Sequence, residues 1–401
     1  MSTPFTNPFR PGAGHPPPYL AGRDHEKREF ERLLTQKPIL DNLVLTGLRG
    51  VGKTVLLETF KPIALNADWL WAGTDLSESA TVNEDTIAIR LMADLAPLVS
   101  NVKVGESERR GIGFLPVVER QDEYLGFDLM RGLYERTPGL AADKLKAILE
   151  LVWRCLEGTG CRGIVLAYDE AQNLSDQAGT KQYPLSLLLD VMQSLQKRGL
   201  PYLLVLTGLP TLFPKLVEAR TFAERMFHVT MLSKLNEADS RDAITKPIKA
   251  QNCQVRFTEQ GVAEIVTHSG GYPYFIQFLC REFYDAYLQQ RAQTATPQVR
   301  VKEMVHKLDS DFFAGRWSRV TDRQRELLTV VAELPESDEE FSPAEVVEKS
   351  REVSGKPFSA SHVNQMLAKL SENGLVFKNR HGKYSFAVPL LGSFIRRQKK
   401  A

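Results

Sequence analysis

The eight residues Gly47 to Thr54, GLRGVGKT, constrain this chain more than any other stretch. They fit G-x-x-x-x-G-K-[ST], the pattern of a phosphate-binding loop. Leu43-Val44-Leu45-Thr46 before them has strand character, and Val55-Leu56-Leu57-Glu58-Thr59-Phe60 behind them continues as a helix. Glycines let such a loop turn its backbone N–H groups inward at an anion, and the helix start adds the positive end of its dipole. The expected nucleotide contacts are Gly47, Leu48, Arg49, Gly50, Val51, Gly52, Lys53, Thr54 and Val55. Lys53 supplies a point charge for the terminal phosphates, and Thr54 a hydroxyl ligand for Mg²⁺.

A chain of 401 residues is long enough for two or three domains. It is 43% hydrophobic and 25% charged, which favours neither disorder nor a membrane class. A net charge of +2 excludes a global polycation, so any nucleic-acid surface must be local. Cys155, Cys161, Cys253 and Cys280 show no C-x-x-C spacing and read as thiols of a reducing compartment. No apolar run reaches membrane-spanning length, and no secretory signal opens the chain. The expected location is the cytoplasm.

Residues 1–18 carry six prolines and two glycines and read as an extended leader. A charged helix follows from about His25 to Leu34, then the strand and loop already described. Trp69 to Asp75 reads as a second strand. Thr81 and Glu84 suggest a capping box for a helix with Ile87, Leu91 and Leu95 on one face. Residues 101–140 read as a loop with one short helix at most. Ala141 to Leu156 is an amphipathic helix. Gly163 to Glu170 is an almost continuously apolar strand ending in the two acids Asp169 and Glu170, and Tyr202 to Thr207 is another strand. Pro184 opens a helix that Gly199 stops, and His228 to Leu232 forms the last strand. Strands separated by helices imply a parallel sheet with helices on both faces. From Asn236 to about Arg319 the pattern is all-helical. Beyond it, three helices and a hairpin around Asn379-Arg380-His381-Gly382 suggest a winged helix-turn-helix.

Asp169 and Glu170 close their strand about 115 residues after Lys53. In phosphate-loop enzymes the first acid holds Mg²⁺ through water and the second orients and deprotonates the attacking water. Thr207 ends the next strand at the same sheet edge. Its hydroxyl either contacts phosphate or water, or caps a strand end.

The order of these motifs resembles AAA-type P-loop ATPases near the origin-recognition and replication-initiator ATPases and the signal-transducing STAND ATPases. The carriers are Leu20-Ala21-Gly22-Arg23, GLRGVGKT, Asp169-Glu170-Ala171-Gln172-Asn173, Thr207-Gly208-Leu209-Pro210, Glu224-Arg225-Met226-Phe227 and Gly270-Gly271-Tyr272-Pro273-Tyr274. The Asp-Glu-Ala-Gln-Asn run also resembles transposition-helper ATPases. The resemblance implies an α/β fold: a P-loop parallel-sheet ATPase core with a small helical lid domain and a C-terminal winged helix-turn-helix. The corresponding boundaries are 1–18, 19–235, 236–319 and 320–401. It places Arg23 against adenine and Thr207 at the first sensor position. Arg225, or else Arg220, takes the place of an arginine finger aimed at a neighbouring subunit. The lid helix opening at Pro273 has no arginine in its first turn, leaving Tyr272 or Tyr274 as nucleotide contacts or as packing aromatics.

Residues 321–352 hold four Lys/Arg against ten Asp/Glu, whereas residues 353–401 hold nine against one. The basic half includes a candidate recognition helix with His362, Asn364, Gln365 and Lys369, and a wing with Lys378, Arg380 and Lys383. Arg396, Arg397, Lys399 and Lys400 finish it. Such charge suits phosphate contact, and amides suit base edges. The expectation is an ATP- and Mg²⁺-dependent ATPase that assembles as a homo-oligomer and contacts duplex DNA. The alternatives are a nucleotide-controlled switch that binds a protein partner, and an accessory ATPase of a transposition or defence system.

Overall fold

The computed structural model describes all residues except 1–6, 13, 78, 80, 81, 111–117, 254, 292–299, 336, 338, 354, 381, 400 and 401; side chains at 106–110, 118–121 and 380 are not described either. The chain forms two compact units. One comprises residues 25–46 and 56–231. The other comprises residues 1–24, 47–55 and 232–401.

The first unit is built on a five-stranded sheet. In chain order its elements begin α1 (Asp24–Leu33), β1 (Asn42–Gly47), α2 (Lys53–Asn66), β2 (Trp69–Ala72) and α3 (Glu84–Val99). The strand order is β2-β5-β6-β1-β7, counting the later strands given below. All six residues of β1 are buried, which is the burial expected of a strand with neighbours on both sides and cover on both faces. The α3 cap departs from the expected box. Asn83 accepts from the Thr86 N–H at 2.8 Å and donates its own N–H to Thr86 Oγ1 at 3.1 Å. An Asn/Thr pair thus does what a Ser/Glu pair does elsewhere. Thr81 lies outside the described residues.

Residues 101–110 and 118–140 hold more secondary structure than the expected loop with one short helix. β3 (Lys103–Arg110) and β4 (Val118–Tyr124) form an antiparallel hairpin, and α4 (Phe127–Arg136) follows. The strands KVGESERR and VERQDEY carry charge on both faces, so no apolar alternation marked them. α4 buries Met130 and Tyr134, and the Tyr134 hydroxyl donates to Asp85 at 2.7 Å.

α5 (Ala141–Leu156) buries Leu145, Ile148, Leu149, Val152 and Leu156, a stripe at helical spacing. Then come β5 (Gly163–Tyr168), α6 (Pro184–Lys197), β6 (Tyr202–Gly208), α7 (Leu212–Ala219), the short α8 (Ala223–Met226) and β7 (Phe227–Leu232). β5 and β6 are buried throughout. Pairing is parallel for β2–β5, β5–β6 and β6–β1. Tyr168 lies opposite Leu206 and Thr46 opposite Gly208, so these strands end at one common edge.

The second unit is helical. It holds α9 (Glu237–Ala250), α10 (Glu259–Ser269), α11 (Pro273–Arg291), α12 (Val301–Leu308), a π-turn at Asp309–Phe313 and α13 (Ala314–Trp317). α14 (Asp322–Ala332), α15 (Pro343–Val353) and α16 (Ala360–Glu372) follow. β8 (Val376–Arg380) and β9 (Lys383–Phe386) form a hairpin, and α17 (Leu391–Gln398) ends the chain. α17 was not expected; its short apolar face is Leu391, Phe394 and Ile395. Thr321 and Gln324 do form the capping box of α14.

One hydrophobic core runs through this unit, joining Phe9, Ile244, Phe275, Phe313, Leu327 and Phe394. The Phe313 and Phe394 rings stack at 5.0 Å, and Trp317 meets Phe394 edge-on at 5.9 Å. Arg397 clasps the buried Asp309 through two nitrogens, at 2.8 and 2.5 Å. The last helix is therefore locked onto the π-turn by packing and by a bidentate ion pair.

Candidate functional site

The phosphate loop belongs to the helical unit. Gly50 and Gly52 have φ of +79° and +92°, values that L side chains rarely adopt. The Gly50 carbonyl accepts from the Tyr274 N–H at 3.1 Å, and a β-carbon at Gly50 would stand 3.2 Å from that of Tyr274. Lys53 is buried and donates from Nζ to the Gly47 and Leu48 carbonyls, at 3.0 and 3.1 Å. Its ammonium therefore sits within the curl of the loop. The Arg23 guanidinium is buried too, donating to the Val51 carbonyl at 3.0 Å and to the Ser233 carbonyl at 2.8 Å. Arg23 thus braces the loop from behind.

Tyr272 and Pro273 lie at the start of α11. Tyr272 meets Phe275 edge-on at 6.2 Å, and Tyr274 packs on Phe275 and Phe312 at 5.4 and 5.2 Å. Arg49, at the exposed tip, points toward the α16–β8 turn: a β-carbon at Gly374 would be 3.8 Å from its guanidinium. Burial, and then the nearby Arg49, lower the Arg316 guanidinium from its ordinary value.

The acids belong to the sheet unit. Asp169 follows β5 and is 3% exposed. Its Oδ1 accepts from the Glu170 N–H at 2.8 Å and from the Thr207 hydroxyl. Thr207 is fully buried, so β6 presents its hydroxyl to fix the carboxylate. Glu170 sits at φ +51°, in the left-handed region, and accepts from the Gln172 side-chain amide. The Gln172 oxygen in turn accepts from the Leu209 N–H at 3.1 Å, and the Gln172 carbonyl accepts from Lys215 at 2.9 Å.

Two participants were not singled out in the sequence. Gln172 stood inside the Asp-Glu-Ala-Gln-Asn run without a role. Asp75 follows β2 and pairs by backbone with Asp169, since β2 neighbours β5. Burial raises the Asp75 carboxyl above its usual range, and the charges of Asp169 and Glu170 raise it further.

The two finger candidates differ. Arg220 is fully engaged, donating to Asp190 at 2.8 and 2.6 Å and to Ser186 at 2.7 Å. The Arg225 side chain is exposed and has no such contacts among the described residues; it lines a cavity of about 660 Å³ with Lys197, Arg198 and Leu40.

The C-terminal basic residues are not a uniformly free set. Lys383 pairs with Glu345 at 3.1 Å, Lys399 with Glu333 at 2.9 Å, and Arg397 with Asp309. Arg396 donates to the Ala332 carbonyl at 2.7 Å. His362, Asn364, Gln365 and Lys369 share the exposed face of α16, although the Asn364 amide donates back to the Ala360 carbonyl at 2.9 Å. Lys378 is exposed on β8; the Arg380 side chain lies outside the description.

A sheet of parallel-paired strands in which β1 runs into a glycine loop, and in which acids follow β5 and β2, is a P-loop α/β fold. Comparison of structures agrees. The Walker-type ATPase PABY2304 of Pyrococcus abyssi matches with a TM-score of 0.56 at 16% identity, over 94% of this chain and 96% of its own. The Aeropyrum pernix ORC2 protein in its ADP form matches with a TM-score of 0.55 at 13% identity, over 98% of both chains. Residues 310–395 match a family described as a domain of unknown function (DUF8462). No curated protein matches the sequence. Among the described residues, no helix is long and apolar enough to cross a membrane.

Proposed function

We propose that the chain binds and hydrolyses ATP. The observation that carries this reading is the Lys53 ammonium held inside a loop whose backbone at Gly50 and Gly52 is one that L side chains rarely adopt. Lys53 and the loop N–H groups take the β- and γ-phosphates, and the Gly22-Arg23 segment lies on the adenine side. The donor set, a Thr54 hydroxyl and an Asp169 carboxylate, is the hard oxygen chemistry that Mg²⁺ takes while keeping most of its waters. When bound, Mg²⁺ neutralises charge on the phosphates. Glu170 orients the attacking water and accepts its proton. Thr207 acts as a positioning residue for Asp169. Arg225, whose exposed guanidinium has no partner among the described residues, serves as the finger of a neighbouring copy, and assembly is therefore part of the activity.

Lys53→Ala should abolish binding of a fluorescent ATP analogue. Glu170→Gln should keep binding and lose turnover, because Lys53 touches ground-state phosphate and Glu170 acts on water. Equal affinity in wild type and Lys53→Ala would remove the site. Mixing Arg225→Ala with Glu170→Gln subunits should restore activity that each lacks alone; no recovery would remove the finger.

The three helices and hairpin after residue 320 read as a winged helix that contacts duplex DNA through Lys369, Lys378 and Arg380. With Lys383, Arg396, Arg397 and Lys399 engaged internally, two or three phosphate contacts remain. Log affinity should then fall with log salt at a slope of about −2 to −3. A salt-insensitive titration would favour the second reading, a module that binds a protein partner. The internal pairing of those four cations is the observation that supports that alternative.

A further inference from the structure

The N-terminal leader is fastened at two points of the helical unit, and between them it passes the phosphate loop. At the first point, the Asn7 amide donates to the Arg281 carbonyl at 3.0 Å and to the Asp285 carboxylate at 2.8 Å. Its oxygen accepts from the Phe9 N–H at 3.0 Å. Phe9 is 2% exposed and lies 6.0 Å from the Phe257 ring. The Arg10 N–H donates to the side chain of Gln277 at 3.2 Å. All three partners of this clasp, Gln277, Arg281 and Asp285, lie on α11.

The second point is Tyr19 to Arg23. The Tyr19 hydroxyl accepts from Lys246 at 2.8 Å, and that ammonium also stands 4.4 Å from the ring centroid. Ala21 is buried, and Arg23 is tied to Val51 and Ser233 as described. Between the points, Gly14 lies against Thr54: a β-carbon there would be 3.5 Å from Thr54 Cγ2. Pro16, Pro17 and Pro18 have fixed φ and no N–H, so the stretch that leads into the second fastening is stiff.

We infer that the leader is a strap that gates nucleotide entry to and exit from the phosphate loop. This rests on the reading of that loop as a nucleotide site. The two fastenings differ in kind. The Tyr19–Arg23 end continues into the brace behind the loop and cannot leave without disturbing it. The Asn7–Phe9 end is a clasp of one amide and one aromatic ring. Opening therefore begins at Asn7 and swings the strap off Thr54. Because the strap touches Thr54 by its methyl side, it acts on the rates of passage more than on the bound state.

The test is stopped-flow binding of a fluorescent ADP analogue to the full chain. Asn7→Asp sets a carboxylate against Asp285 and removes both amide donations. It should raise association and release rates together, by about tenfold, as expected for losing a hydrogen bond to a charged group. The dissociation constant should stay within about threefold. Adding Asp285→Asn to Asn7→Asp returns a donor to the clasp and should restore slow exchange. Phe9→Ala provides a second opening, read the same way at a temperature where it remains folded. Unchanged rates in Asn7→Asp would overturn the strap. So would faster release with association unmoved, which would make the leader a wall of the site. If the wild type binds no analogue, the nucleotide reading itself falls and the strap with it.

Discussion

The two ends of the central sheet obey opposite rules. At the amino ends of the strands, Asn42 is completely buried and makes four hydrogen bonds. Its amide donates to Gln196 and to the Met226 carbonyl, both at 3.2 Å, and its oxygen accepts from Leu204 N–H at 2.8 Å and Gln196 at 2.7 Å. Gln196 also donates to the Tyr202 carbonyl at 2.8 Å. Two strands, β1 and β6, and two helices, α6 and α8, are stitched there by two amides. At the carboxyl ends the buried Thr46 hydroxyl has no partner among the described residues, Glu170 is in a left-handed conformation, and three carboxylates crowd together. One end is built for stability. The other carries orphaned groups, strain and like charge, the features that collect where a protein does chemistry.

That contrast can be broken at four points. The largest effect is expected from Asn42→Ala. It strands the Leu204 N–H and the Gln196 side chain in the interior, and should cost about 3 kcal/mol or more in a urea titration. A loss below about 1 kcal/mol would mean the amide pair is not the fastener described.

Thr46→Val acts at the opposite end and in the opposite direction. Removing an unsatisfied buried hydroxyl should stabilise by about 1 kcal/mol, read as a higher urea midpoint with unchanged slope. Destabilisation would show that the hydroxyl is satisfied in solution.

Glu170→Asn should be smaller still, a gain of about 0.5 kcal/mol, because Asn tolerates the left-handed region better than Glu. Turnover should disappear at the same time. A stabilised variant that still turns over would separate the strain from the chemistry.

The smallest change is expected from Asp75→Asn, and it depends on pH. The folded state raises the Asp75 carboxyl, so folding favours the protonated form. The stability this group contributes is complete below its unfolded value and is lost as pH rises through its folded value. Asp75→Asn should therefore melt slightly higher than wild type at neutral pH, and the difference should vanish in acid. Melting curves at several pH values that differ by a constant offset would refute the repulsion.

Much of this was legible in the residues themselves. The loop, the continuously apolar β5 and β6, the α5 stripe and the Thr321 box each carry local patterns that tertiary contacts reinforce. What escaped had no local pattern. The β3–β4 hairpin carries charged residues at alternating positions of both strands, so its sequence holds no apolar alternation to reveal the pairing. α17 is short and was overshadowed by its cations. Counting charges could not show that Arg397 meets Asp309, 88 positions away, or that Lys383 meets Glu345. Asp75 took its importance from the order of the strands, which places β2 beside β5. At the acidic edge, Asp169, Glu170 and Thr207 were named from spacing alone. The hydroxyl-to-carboxylate bond that joins Thr207 to Asp169 required the register of β5 on β6.

The stacked Phe313 and Phe394 rings and the Arg397–Asp309 clasp make a joint without a hinge. A module on a loose tether samples a volume and reports only its presence. A module welded to its support reports direction. Tyr274 at the start of α11 packs on Phe312 of the same π-turn, so the joint ties α11 to α17 as well. The same weld makes residue 320 a poor place to cut. A truncated chain would bare Phe313, Trp317 and the Asp309 carboxylate, so the module is better silenced by replacing Lys369 and Lys378 than by removing it.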